Sequence, residues 1–142
     1  MNRLKILVIA LVLALNWGCA ENKTETVAEK PAPTIQNSTK VQVYYFHGDR
    51  RCVTCQAVGA VAEATVQENF SANPDVVFLD VNIDRAENEK LAEKFQVSGS
   101  GLYLFAHEKI EDLTAFAFQN ARTAPEMLTN KLTELINQNL GI

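Results

Sequence analysis

The sequence predicts an α/β domain, a four-stranded mixed sheet flanked by three helices, on three observations. From Val41 onward, short β-branched and aromatic runs alternate with segments whose apolar residues recur at three- and four-residue spacing. The last two strand-like runs follow one another with only a turn between them, which marks a hairpin. Once the polar stretch before Val41 is set aside, about 100 residues are left, enough for one modest core.

Val41-Gln42-Val43-Tyr44-Tyr45-Phe46 reads as a strand buried on both faces toward its end, broken by His47-Gly48-Asp49. From Cys52, the residues Val58, Val61, Ala62, Thr65, Val66 and Phe70 mark one face of a helix that ends near Ser71-Ala72-Asn73-Pro74. Val76 to Ile83 is a second strand, and Glu87 to Phe95 a short helix with Leu91 and Phe95 inward. Leu102 to Phe105 is a third strand, Ala106-His107-Glu108-Lys109 a turn that holds His107, and Leu113 to Phe118 alternates as a fourth strand. Pro125 suits a first helical turn and opens a helix with Leu128, Leu132, Leu135, Ile136 and Leu140 on one face, closed by Gly141. Tyr44, Tyr45, Phe46, Phe78 and Phe105 are core candidates. Right-handed crossovers between the parallel strands place helices on both faces of the sheet.

Residues 1–18 read as a secretory signal: Arg3 and Lys5 precede an apolar run, Ile6 to Leu15, too short to span a bilayer. Gly18 before Cys19 resembles a bacterial lipoprotein cleavage site, with Cys19 as the lipidated residue. The alternatives are an ordinary signal peptide cut nearby, which leaves a soluble secreted protein, or an uncleaved anchor. Residues 19–40 are rich in Glu, Lys, Thr, Asn and Pro and read as a flexible tether, and residues 41–142 as the folded domain. The chain carries a formal charge of −4, and loss of Arg3 and Lys5 makes it more acidic. That balance speaks against a phosphate-binding surface, so no nucleic-acid partner is expected. Three cysteines in an exported chain leave one to explain, and lipidation of Cys19 accounts for it. Export also puts the remaining pair, Cys52 and Cys55, where disulfides persist.

That pair stands between a buried strand and an amphipathic helix, a setting that favours redox work. The nucleophile in disulfide exchange is the thiolate, and unpaired N–H groups and the helix dipole stabilise negative charge at a helix start. Arg50 and Arg51 precede Cys52 and either offer it a further positive charge or form only a solvated basic spot. Cys52 is therefore assigned as the attacking thiol, and Cys55, one turn into the helix, as the resolving thiol. His47 is either a proton acceptor for Cys55 or a structural hydrogen-bonding group, and Asp49 a turn or capping residue. Three other readings stand: a permanent structural disulfide, a metal site using Cys52, Cys55, His47 and His107, and a docking module without chemistry. No cofactor is expected, because the thiols themselves carry the electrons.

With a cysteine pair between the first strand and its helix, Val41 to Gly141 resembles the thioredoxin superfamily. Phe46-His47-Gly48-Asp49-Arg50-Arg51-Cys52-Val53-Thr54-Cys55 is similar to small bacterial thioredoxin-like proteins labelled nitrophenyl-compound nitroreductase subunits. The resemblance implies an envelope thiol-disulfide oxidoreductase or electron carrier. Its partner would be a protein thiol or disulfide, a membrane electron donor or a reductase. The chain departs from the family in four places. Arg51 stands where thioredoxins carry Trp, and Val53-Thr54 where they carry Gly-Pro. Phe46 occupies roughly the place of a buried acid that helps proton transfer. Ser100 or Gly101 replaces the proline of a cis-proline loop that faces substrate, so a cis bond is not expected there.

Overall fold

The computed structural model describes residues 39–142, so the predicted signal, Cys19 and nearly all of the tether lie outside the described residues. The elements are β1 (Val41–His47), α1 (Val53–Phe70), β2 (Val76–Asn82), a 3₁₀ turn (Ala86–Asn88), α2 (Glu89–Phe95), β3 (Gly101–Ala106), β4 (Lys109–Asp112), α3 (Thr114–Asn120) and α4 (Pro125–Leu140). The sheet order is β2-β1-β3-β4, with β1 parallel to β2 and antiparallel to β3, and β3 antiparallel to β4. This is the expected four-stranded mixed sheet in a thioredoxin-like α/β topology.

Because side chains alternate across a strand, central β1 feeds two cores and all seven of its residues are buried. Val41, Val43 and Tyr45 face one side, packed with Val58, Ala62 and Val66 of α1 and with Leu128, Leu132 and Ile136 of α4. Tyr44 and Phe46 face the other, against Phe95 of α2 and Phe105 of β3, with Leu91 partly buried beside them. The five aromatic core candidates all pack into these clusters. Gly141 closes α4 in the left-handed conformation, at φ 78°, as its position after the apolar face predicts.

The segment expected as a fourth strand, Leu113 to Phe118, is instead mostly helix α3, and the strand precedes it at Lys109–Asp112. His107 and Glu108, both at positive φ (50° and 60°), form the two-residue turn between β3 and β4. The hairpin therefore closes early. All four β4 residues are exposed, so the edge strand has no buried face to produce alternation. Leu113, Ala117 and Ala121 are the buried positions of the next segment, and that four-residue spacing is helical. Among the described residues, four α-helices rather than three thus flank the sheet.

Candidate functional site

The parallel connection from β1 to β2 runs through α1, and the α1 N-terminus stands at the sheet end where β1 stops. Cys52 is the N-cap, with extended backbone at φ −69° and ψ 162°, and its Sγ accepts the Cys55 backbone N–H at 3.1 Å. Its carbonyl accepts the Gln56 N–H at 3.0 Å, so Cys52 occupies a capping position with sulfur in the role usually filled by oxygen. Cys52 and Cys55 are disulfide-bonded, with Cα atoms 5.0 Å apart. Cys52 is exposed, whereas Cys55 is only 8% exposed. The first turn of α1 holds no acidic residue to oppose a negative sulfur.

Beneath the helix start, the buried Tyr45 hydroxyl donates to the Cys55 carbonyl at 2.7 Å. Gly59 makes room for this ring, since a Cβ there would lie 2.6 Å from a Tyr45 ring carbon. Burial pushes the Tyr45 hydroxyl pKa up, an effect partly offset by the nearby Arg51 charge and reinforced by Asp80.

Arg51 turns toward Asp80, with 3.9 Å between Nη1 and Oδ2, and its carbonyl accepts a hydrogen bond from the Gln56 side chain at 3.4 Å. Together with Tyr45, Gln56, Gly59, Phe78 and Asp80 it lines an open cleft of about 290 Å³. Arg50 is exposed beside the cysteine pair. His47 is buried and stacks on Tyr45, with ring centroids 5.4 Å apart. Its Nδ1 lies 2.8 Å from the Gly48 carbonyl and its Nε2 2.5 Å from the Asp80 carboxylate.

Gly101 pairs with Phe46 at the start of β3, which brings Ser100 to the cysteine end of the sheet. All peptide bonds among the described residues are trans. His107 lies past Ala106, the partner of Val41, and so at the opposite end of the sheet, where its Nε2 meets the Asn139 carbonyl at 2.9 Å. The antiparallel register thus separates His107 from the cysteines by the length of β1, roughly 20 Å at about 3.3 Å per residue. The four-ligand set of Cys52, Cys55, His47 and His107 cannot assemble in this fold. Among the described residues no three His, Cys, Asp or Glu side chains form a metal-ligating group.

Two contributors escaped the sequence reading. Asp80 supplies a carboxylate from β2, the strand next to β1; the signal for it was an acid inside the apolar run Val76 to Ile83. Tyr45 was read only as core, and its hydroxyl proves to be bonded to the backbone of the second cysteine.

No protein-family model and no curated protein matches the chain. Among solved structures, a malarial protein is similar at 21% identity over 72% of this chain and 99% of its own, with a TM-score of 0.48. The zinc-bound form of human ERp44 is similar at 19% identity over 60% of this chain, with a TM-score of 0.43. This chain spans 27% of the ERp44 chain.

Proposed function

We propose that the chain is a thiol-disulfide oxidoreductase or electron carrier of the bacterial cell envelope, working through Cys52 and Cys55. The observation that carries this reading is the asymmetry of the pair: an exposed Cys52 whose sulfur takes a helix N–H, joined to a nearly buried Cys55. Exposure gives a partner access to one sulfur, and the N–H with the helix dipole stabilises that sulfur as thiolate.

In the reduced form, the Cys52 thiolate attacks one sulfur of a partner disulfide, forming a mixed disulfide as the other partner sulfur leaves as thiolate. Cys55 then loses its proton and attacks Cys52 Sγ. This makes the intramolecular disulfide and releases the second partner sulfur as a thiolate, which takes up a proton. Two electrons move to the partner, and the reverse sequence reduces the pair at the expense of a dithiol donor. Arg50 and Ser100 flank the pair as contact residues for the partner, and Arg51 and His47 support the helix start through Asp80. Lipidation of Cys19 would tether the domain to the membrane, residues 19–40 providing the reach to protein partners there.

The test is covalent trapping in the native host. Cys55→Ser accumulates reductant-sensitive adducts after acid quenching, and Cys52→Ser accumulates few or none. Absence of adducts in both variants refutes thiol exchange. Mass spectrometry of membrane-extracted protein reports the N-terminus, and an unmodified start at another residue refutes the lipid anchor. The metal reading, with Cys52, Cys55 and His47, is less well supported, because both ring nitrogens of His47 already face Gly48 and Asp80.

A further inference from the structure

The segment that leads into Cys52 is stitched to the far end of β2 by a compact set of hydrogen bonds. The Asp49 Oδ1 accepts from the Asn82 side-chain amide at 2.7 Å and from the Arg85 guanidinium at 3.2 Å. The Asp49 backbone N–H donates to Asp84 Oδ2 at 2.7 Å, and the His47 carbonyl accepts the Ile83 N–H at 2.8 Å. Asp84 is itself held in a turn in which its N–H donates to Asn82 Oδ1 at 2.9 Å. Gly48 fits beneath this clasp because it has no side chain, and a Cβ there would sit 2.9 Å from Asp84 Oδ2. Asp49 and Arg85 are each more than half exposed, so the Coulomb energy of their pair is small. The weight of the clasp is geometric.

We propose that Asp49, clasped to Asn82, Asp84 and Arg85, is a positioning residue that holds Cys52 as the N-cap of α1 when the disulfide is open. The inference rests on the redox reading of the pair. In the oxidised form the disulfide keeps Cys52 Sγ beside Cys55 whatever the preceding chain does. In the reduced form that bond is gone, and the sulfur stays over the Cys55 N–H only if the chain enters the helix along the observed path. The clasp therefore stabilises the reduced thiolate selectively. Loosening it makes the pair more reducing and moves the onset of Cys52 reactivity to higher pH, while the oxidised protein hardly changes.

The sign of the effect separates geometry from charge. Loss of the Asp49 carboxylate near Cys52, acting through charge alone, favours the thiolate and makes the pair more oxidising. Loss of the clasp acts in the opposite sense. Equilibration of the purified protein with reduced and oxidised glutathione gives the potential, and iodoacetamide alkylation of the reduced protein against pH gives the Cys52 profile. For Asp49→Ala we expect the equilibrium to shift at least threefold toward the disulfide and the alkylation profile to move to higher pH. Asp49→Asn keeps the accepting oxygen and restores wild-type behaviour or slightly overshoots toward oxidising.

Asn82→Ala, which removes the uncharged bonds of Asn82 to Asp49 and Asp84 and leaves the rest of the clasp, shifts the equilibrium in the same direction as Asp49→Ala by a smaller factor. It also serves as the second variant should Asp49→Ala fold poorly. An unchanged equilibrium and profile in Asp49→Ala, or in Asn82→Ala where it is the variant measured, overturns the proposal. So does an oxidising shift in Asp49→Ala, or a reducing shift in Asp49→Asn as large as that in Asp49→Ala. A fall in melting temperature equal in both redox states with no change in potential overturns it too, leaving the clasp merely structural. These readouts need no physiological partner, so they stand apart from the trapping result on which the proposed function depends.

Discussion

Replacing Gly59 with Ala tests how closely α1 must approach β1 for Cys55 to sit where it does. The new Cβ would lie 2.6, 2.9 and 3.1 Å from three Tyr45 ring carbons. Such separations are well inside van der Waals contact, so something must move. The ring has little room, because Tyr45 is 1% exposed and its hydroxyl is tied to the Cys55 carbonyl at 2.7 Å. Alanine gains about 1 kcal/mol of helix propensity over glycine at an interior position. Against this, overpacking a core contact costs about 1–3 kcal/mol, and a buried hydroxyl pulled from its acceptor costs about 1–3 kcal/mol more. The net expectation is destabilisation by about 1–5 kcal/mol, each kcal/mol lowering the melting temperature by about 4–8 °C for a domain of this size. Urea unfolding of the oxidised protein measures it. Gly99→Ala is the control, because its Cβ meets nothing within 4 Å and its φ is not positive, so that variant should be neutral or slightly stabilised. Tyr45→Leu in the Gly59→Ala background should recover part of the loss by vacating the ring's space. A Gly59→Ala protein as stable as wild type refutes the close packing of Tyr45 beneath the helix start.

Alkaline titration of stability should show the buried tyrosines. Burial pushes the Tyr44 pKa up from 10.0 to about 12, so stability is full below pH 10 and declines as the unfolded state ionises first, by about 2–3 kcal/mol as pH approaches 12. Chemical denaturation at pH 9 and 11 reads the decline, and Tyr44→Phe should flatten it, leaving the share carried by Tyr45. The His107-Glu108 turn places both residues at positive φ, so His107→Asn with Glu108→Gly should stabilise the domain by about 1 kcal/mol, less whatever the contact of His107 with Asn139 contributes. A thermal melt no higher than wild type contradicts the turn assignment. Arg51→Gln removes the charge beside Tyr45, so spectrophotometric titration should place the Tyr45 hydroxyl at a higher pH in that variant, and an unchanged curve contradicts the placement of Arg51 beside that hydroxyl.

Local pattern in the sequence was enough for the order of elements from β1 to β3, the doubly buried first strand, the amphipathic α1 with Cys52 at its start, and the closure of α4 at Gly141. Each depends on residues within one or two helical turns of one another, where periodicity and capping act. The same local reading placed the turn at Ala106 to Lys109 but missed β4 and α3, because an exposed edge strand carries no buried face to give alternation. It also grouped His47 with His107 as possible ligands for the cysteines. The antiparallel pairing of β1 with β3 puts them at opposite ends of the sheet, and no linear spacing reveals that. The bond of His47 to Asp80 spans 33 residues and that of Asp49 to Arg85 spans 36. Parallel register between β1 and β2, which sets His47 beside Asn82, creates these neighbours. The disulfide-bonded cysteine pair at the start of α1 could thus be read from the chain, while the groups packed around it were decided only by which strand lies next to β1 and in which register.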